Sequence, residues 1–136
     1  MGRDLDGDLD LIGSAFNGNR IAWFDNQGGS PPTFIERSLA TGTLGVIAIH
    51  AADFDGDGDI DVASACFNSG AVRLHRNMLI APGMGPPTFD TMNVDSASNG
   101  PVAVNAADVD ADGDLDIMST TLFGKAMVVC MTRKNC

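Results

Sequence analysis

The sequence is poor in aromatic residues, cysteine and basic residues. It contains no tyrosine, one tryptophan and three cysteines among its 136 residues. An odd number of cysteines without C-x-x-C spacing argues against a disulfide framework and against a zinc site. We therefore expect Cys66 and Cys130 to be buried free thiols and Cys136 to be a loose thiol near the end of the chain.

Long apolar runs are missing as well. No stretch reaches the roughly 18 to 20 apolar residues that span a bilayer, and the first residues lack the basic and apolar regions of a signal peptide. Only 8 basic residues stand against 18 acidic ones, so the formal net charge is −10. An acidic surface repels phosphate backbones and anionic lipid headgroups alike. We expect neither a nucleic-acid partner nor direct membrane insertion.

The acidic residues are concentrated within an internal repeat. Residues 45–61 read GVIAIHAADFDGDGDID, and residues 100–116, 55 positions later, read GPVAVNAADVDADGDLD. A degraded third copy, GRDLDGDLD, covers residues 2–10. Of the 18 acidic residues, 14 lie in these three stretches. A repeat of this length indicates a modular architecture, and the clustered charge indicates a local site in each module.

Alternating apolar residues and turn signals divide each unit into short strands. In the complete unit the predicted strands cover residues 46–51, 60–67, 71–76 and 88–94. No helical periodicity is sustained. Four strands in about 55 residues is the size of one β-propeller blade. We predict an all-β fold of propeller-type blades with four antiparallel strands each, about two and a half blades in an incomplete propeller.

The repeat also predicts how the chain divides. Residues 1–43 should hold strands two to four of one blade, residues 44–98 a complete blade, and residues 99–136 strands one to three of a third. Ten strands are too few to close a ring. We expect self-association through open edge strands, with Ile12 and Ile21 bordering an uncovered face of the first blade.

Each acidic stretch follows the pattern D-x-D-x-D-G-x-x-D, which is complete at residues 53–61 and 108–116. Calcium takes six to eight oxygen ligands, and alternating aspartates around a tight turn can direct several carboxylates at one centre. The glycine permits the sharp bend. The predicted Ca²⁺ residues of these two loops are Asp53, Asp55, Asp57, Asp59, Asp61, Asp108, Asp110, Asp112, Asp114 and Asp116.

Not every aspartate needs to bind through its side chain. At the seventh place the backbone carbonyl of Asp59 or Asp114 is the expected ligand.

The first copy has Gly2 in place of the leading aspartate, so we expect its site to be weakened or empty. Without a cation the carboxylates repel one another, which should link metal binding to folding. The candidate residues of this first loop are Asp4, Asp6, Asp8 and Asp10.

The acidic loops, the run IAWFDNQGG at residues 21–29 and the repeat period resemble the FG-GAP or VCBS repeat family, which occurs in integrin α-subunit heads and many secreted proteins. The resemblance implies calcium in the loop between the first two strands of a blade. It also implies an extracellular or cell-surface module for adhesion or for binding a protein or glycan ligand. On this reading the chain is a fragment of a larger secreted or cell-surface propeller protein.

Two other functions fit the same pattern. Calcium-loaded propellers also occur in enzymes such as polysaccharide lyases, of which this chain would be a non-catalytic portion, and a purely structural spacer is a third reading. His50 and His75 are the only histidines, and no G-x-S-x-G motif occurs. We expect both to be ordinary strand residues and the chain not to be an enzyme. Trp23 and Phe24 are assigned to packing between blades rather than to sugar stacking.

Overall fold

The computed structural model describes residues 7–78, 85–124 and 127–129. All regular elements in these residues are β-strands, so none of them belongs to a helix that could cross a membrane. The strands in chain order are β1 Leu11–Ala15, β2 Arg20–Asn26, β3 Phe34–Thr41, β4 Val46–Ala52, β5 Asp61–Cys66, β6 Ala71–Asn77, β7 Phe89–Asp95, β8 Pro101–Ala107, β9 Asp116–Thr121 and β10 Met127–Val129.

The strands form three antiparallel meanders. The first sheet has the order β1-β2-β3, the second β4-β5-β6-β7 and the third β8-β9-β10. Consecutive strands are hydrogen-bonded neighbours throughout, as short connections favour. The prediction of an all-β fold with incomplete, propeller-type blades is confirmed. The boundaries placed at residues 43 and 98 stay a prediction.

Tight turns connect the second and third strands of the repeat, as the sequence predicts. The β1–β2 turn includes Asn19 and the β5–β6 turn includes Gly70, with φ angles of 51° and 63°. Asparagine and glycine tolerate this left-handed conformation better than other residues. The same turn geometry therefore sets the same strand register in both sheets, with Leu11 opposite Phe24 and Val62 opposite His75.

Two apolar clusters hold the sheets face to face. Between the first and second sheets the cluster contains Ile21, Trp23, Leu39, Ala40, Val46, Val62, Cys66 and Ala71. Between the second and third it contains Phe54, Ala63, Ala65, Val72, Leu74, Val104 and Ile117. Alternation along the strands supplies one face of the second sheet to each cluster.

Two expectations about the first sheet need correction. Ile21 is fully buried and Ile12 packs against the same cluster, so both face the second sheet and do not border an uncovered face. Trp23, 1% exposed, fills the space between the sheets as expected. Phe24 is half-buried and lies on the opposite side, because its neighbour in sequence points inward.

The cysteine expectation is confirmed where the structure tests it. Cys66 is a free thiol with no exposed surface, in the cluster between the first two sheets. Cys130 and Cys136 lie outside the described residues.

Candidate metal centres

Each complete acidic loop connects the first two strands of a sheet. The loop between β4 and β5 brings carboxylate oxygens of Asp53, Asp55 and Asp61 within 4.8 Å of one another. The loop between β8 and β9 does the same for Asp108, Asp110 and Asp116. These are the two groups of potential metal ligands in the part of the chain that the structure describes. Both consist of the first, third and ninth places of the sequence pattern.

Backbone N–H groups orient the leading carboxylate. Asp53 Oδ1 accepts hydrogen bonds from the amides of Gly56 (2.8 Å) and Asp57 (3.2 Å), while Asp53 Oδ2 accepts one from Gly58 at 3.0 Å. This carboxylate therefore serves as the pivot around which the loop turns. In the second complete loop Asp108 accepts the amides of Asp112 and Gly113 at 3.1 and 3.0 Å.

The last aspartate of the loop is more deeply buried than the others. Asp61 is fully buried; its Oδ1 accepts the Asn77 amide at 2.8 Å and its Oδ2 the Phe54 amide at 2.9 Å. Asp116 is also fully buried and accepts the Val109 amide at 2.9 Å. These bonds fasten the start of the second strand to the loop, so the ninth-place carboxylate orders the loop whether or not a cation is bound.

An asparagine at the end of the third strand, which the acidic pattern does not predict, completes this fastening. The Asn77 side-chain amide donates to the Ile60 carbonyl at 3.4 Å. In the first sheet Asn26 repeats the arrangement, donating its backbone N–H to Asp10 at 2.9 Å and its side-chain amide to Leu9 at 3.0 Å. The signal is visible in the sequence as an Asn 16 residues after the last aspartate in both copies.

The remaining aspartates of the complete loops lie outside the three-carboxylate groups. Asp57 Oδ1 accepts the Asp59 amide at 2.9 Å, and Asp112 Oδ1 accepts the Asp114 amide at 3.0 Å. Asp59 is buried, whereas Asp114 is exposed. The assignment of these four residues as calcium ligands stays a prediction.

The first loop is described only in part. Asp4 and Asp6 lie outside the described residues. Asp8 is exposed. A β-carbon added to Gly28 would lie only 3.1 Å from Asp8 Oδ2, so the backbone at Gly28 passes close to this carboxylate. Asp10, held by Asn26, occupies the place of Asp61. The expectation of a weakened or empty first site remains a prediction.

Four of the loop carboxylates hold protons more strongly than ordinary aspartates. Burial raises the pKa of Asp61 to about 6, against the lowering effect of the Asn77 and Phe54 amides. Burial and repulsion from Asp57 also raise the pKa of Asp55 and of Asp59. Desolvation and then repulsion from Asp112 raise the pKa of Asp110. A nearby cation would reverse this effect because it favours the charged carboxylates.

The tight bend uses left-handed backbone conformations. Gly56 and Gly58 have φ angles of 75° and 96°, and Gly113 has 98°. Ala111 takes the place of Gly56 in the next repeat and adopts φ 61°, a conformation that strains a residue with a β-carbon. The two loops thus have the same shape but not the same backbone energy.

The donor set fits a hard divalent cation. Oxygens bound to one Ca²⁺ at about 2.3 to 2.6 Å lie no more than about 5 Å apart, and the two groups of carboxylate oxygens meet this limit with separations within 4.8 Å. All the candidate side-chain donors are carboxylates, which suit calcium and not thiolate-seeking metals. Asp53, Asp55 and Asp61, and their equivalents in the next repeat, could therefore hold calcium.

The histidines lie apart from these groups. His75 is fully buried, with Nε2 2.9 Å from Ser64 Oγ and Nδ1 2.7 Å from Thr91 Oγ1. Burial, and then repulsion from Arg73, lower the pKa of His75 to about 4. The neutral ring therefore joins two neighbouring strands through hydroxyl groups, as a strand residue of the interior does. His50 lies on β4 and is half-buried.

Comparison with known proteins adds one finding. A family model described as an FG-GAP-like repeat matches residues 4–64 and again residues 53–119. Each match starts at or within one acidic loop and ends just beyond the next, so the matched unit contains the loops and the sheet between them. No curated protein and no solved structure matches the chain.

Proposed function

Because the chain belongs to the FG-GAP-like repeat family, we propose that it is a calcium-binding module for adhesion or for binding a protein or glycan ligand. Repeats of this family occur in propeller-type adhesion and ligand-binding modules, typically in extracellular proteins. We place this chain in the same setting, secreted or at a cell surface, and assign it no catalytic role.

The observation that carries the proposal is the recurrence of one carboxylate group. Asp53, Asp55 and Asp61 converge in one loop, and the residues 55 positions later converge in the next. One acidic turn is often only a solvated surface feature. Here two loops hold three mutually repelling carboxylates close together in the same way. A bound divalent cation would offset this repulsion in both loops.

Calcium would act by ordering the loops. Asp53 and Asp55 flank Phe54, which is 2% exposed and belongs to the cluster between the second and third sheets. A cation bound to these aspartates therefore fixes a residue of the interior as well as the loop. The stabilised rim of loops and strand connections would then present a rigid surface to a ligand.

Isothermal titration calorimetry with calcium tests the metal sites. We expect two sites of similar affinity, and Asp53→Asn or Asp108→Asn should each remove one of them. Glu36→Gln, which changes the same charge at a position outside the loops, should leave both sites intact. Absence of calcium binding by the folded wild-type chain would refute the proposed metal function.

Ligand binding needs a separate experiment. A glycan array and a panel of extracellular matrix proteins, each probed in calcium and in chelator, should identify a ligand whose binding requires calcium. A chain that binds calcium at both loops but no member of either panel would support the spacer interpretation instead. Binding that is equally strong in chelator would separate recognition from the metal sites.

A further inference from the structure

One face of the first sheet is exposed although the matching faces of the other sheets are covered. This outer face consists of three cross-strand pairs of β1 and β2: Leu11 with Phe24, Gly13 with Ala22, and Ala15 with Arg20. Leu11 is 55% exposed and Phe24 is half-buried. The registers show that Leu11 and Phe24 form a cross-strand pair, as Val62 and His75 do in the second sheet.

The counterparts of the outer face are buried by the preceding sheet. Val62 and His75 are fully buried, and Val62 packs with Ile21 and Trp23 of the first sheet. In the third sheet Ile117, at the place of Val62, is fully buried against the second sheet. The chain therefore shows twice what covers this kind of face, namely the opposite face of another sheet of the same repeat.

The outer face also contains a groove. A cavity of about 130 Å³ lies over it, lined by Gly13, Ser14, Ala15, Arg20, Ala22 and Phe24. Most of these lining side chains are small, so the groove is suited to large side chains from a packed sheet. Its charged residue is already compensated, because Arg20 pairs with Glu36 at 2.5 Å.

The third sheet presents a face of the complementary kind. This distal face carries Ala103, Asn105, Met118 and Thr120, which alternate with the buried residues facing the second sheet. Val109 extends it at the loop and is 51% exposed, whereas Phe54, its counterpart one repeat earlier, is 2% exposed under the third sheet. On β8 and β9 the one charged residue on this side by alternation is Asp116, which is already fully buried in the loop.

We propose that the distal face of one copy packs on the outer face of a second copy, so that chains associate head to tail. The contact repeats the sheet-to-sheet packing found twice within the chain and places Met118 and Val109 of one copy against the grooved face of the next. Such a contact is heterologous: two different faces meet, and each copy keeps one face available for a further copy. It differs from pairing between edge strands, which joins backbones within one sheet.

Calcium should strengthen this contact, an effect that rests on the proposed function. Within the chain the acidic loops of neighbouring sheets lie close together. A β-carbon added to Gly56 would lie 4.0 Å from Asp114 Oδ1. A head-to-tail contact brings the acidic loop of the third sheet near Asp8 and Asp10 of the next copy. Bound cations would reduce the repulsion between them.

Complementation between two variants tests the contact. Leu11→Arg places a charge on the outer face only, and Thr120→Arg places one on the distal face only; both residues are exposed, so both variants should fold. Each variant alone should associate about tenfold or more weakly than the wild type, because an unpaired charge would be buried. Mixed together they should form a one-to-one dimer through their intact faces and no larger species.

Sedimentation velocity over a concentration series measures these states, with circular dichroism and thermal melting to verify folding. Leu44→Arg, at an exposed apolar residue that lies on neither face, is the matched control and should associate as the wild type does. A monomeric wild type, or variants that still associate alone, would overturn the proposal, the latter pointing to edge strands. Complementation that occurs equally in chelator would support the contact and refute only its dependence on calcium.

Discussion

Replacing Asp55 by asparagine should change stability in opposite directions with and without calcium. The Asp55 side chain is exposed and accepts one loop amide, from Asp57 at 3.3 Å, which an asparagine oxygen can also accept. The substitution therefore keeps the shape of the loop and removes one negative charge. Its effect should depend on whether that charge faces other carboxylates or a cation.

In chelator the substitution relieves repulsion. The oxygens of Asp53, Asp55 and Asp61 lie within 4.8 Å of one another, and two unit charges at that distance repel by about 0.9 kcal/mol in water. Removing the two pairs that involve Asp55 relieves close to 2 kcal/mol before screening. Salt and the repulsion that persists in the unfolded chain reduce this value, so we expect the free energy of unfolding to rise by about 0.5 to 1.5 kcal/mol.

In calcium the lost ligand dominates. One bound ion adds about 2.7 kcal/mol to the free energy of unfolding when its concentration is about 100 times the dissociation constant. A site that lacks one of its converging carboxylates should lose most of this contribution. The variant should therefore be less stable than the wild type by about 1 to 2 kcal/mol once the relieved repulsion is included.

Urea denaturation in chelator and in excess calcium measures both effects on the same samples. Asp110→Asn tests the equivalent position of the next loop and should behave in the same way. Glu36→Gln removes the same charge outside the loops and should shift both curves equally. If Asp55→Asn lowers stability by the same amount in both conditions, the aspartate is an ordinary turn residue and the reasoning about a cation site at this loop is wrong.

Three further predictions concern the backbone, the pH response and the core. Ala111→Gly should raise the free energy of unfolding by up to about 1 kcal/mol and Gly56→Ala should lower it by about 1 kcal/mol, because both positions are left-handed; chemical denaturation measures both. As pH falls from about 6 to about 4, protonation of Asp61 in the folded state stabilises the calcium-free fold, since the Asp61 pKa of about 6 exceeds the unfolded value. Over the same range His75 destabilises the fold, since its pKa of about 4 is below the unfolded value and the unfolded chain takes up the proton first. Calcium removes the Asp61 contribution, so acid should lower the melting temperature more steeply in calcium than in chelator. Trp23→Ala should cost about 3 to 5 kcal/mol in either condition, and a smaller loss in a thermal or urea melt would contradict its position between the sheets.

The strands were predictable because alternation and turn residues act locally. The predicted strand at residues 60–67 forms as Asp61–Cys66, and the one at residues 71–76 forms as Ala71–Asn77. Each is bounded by residues whose backbone preference or charge ends the alternation. The sequence therefore indicates both the existence of these strands and their ends to within a residue or two.

Which face of each strand is buried could not be read from the sequence in the first sheet. Ile12 and Ile21 alternate with Leu11 and Ala22, so apolar residues occupy both faces of the β1–β2 hairpin. Periodicity cannot distinguish two apolar faces, and the decision depends on which side the next sheet packs. The role of Asn77 was missed for a related reason: its contact with Asp61 joins residues 16 positions apart, across a strand pairing that the loop pattern does not contain.

The structure explains why calcium at the two complete loops need not have the same consequence for folding. In the loop after β4 the residue between the first two aspartates is Phe54, and the third sheet covers it. In the loop after β8 the same place holds Val109, which is 51% exposed. Ordering the first of these loops therefore also fixes a large side chain between two sheets, whereas ordering the second fixes a side chain that still faces water. If a second copy packs on the distal face, Val109 becomes buried as Phe54 is. Calcium binding at the loop after β8 is then coupled to association, just as calcium binding at the loop after β4 is coupled to packing of the core.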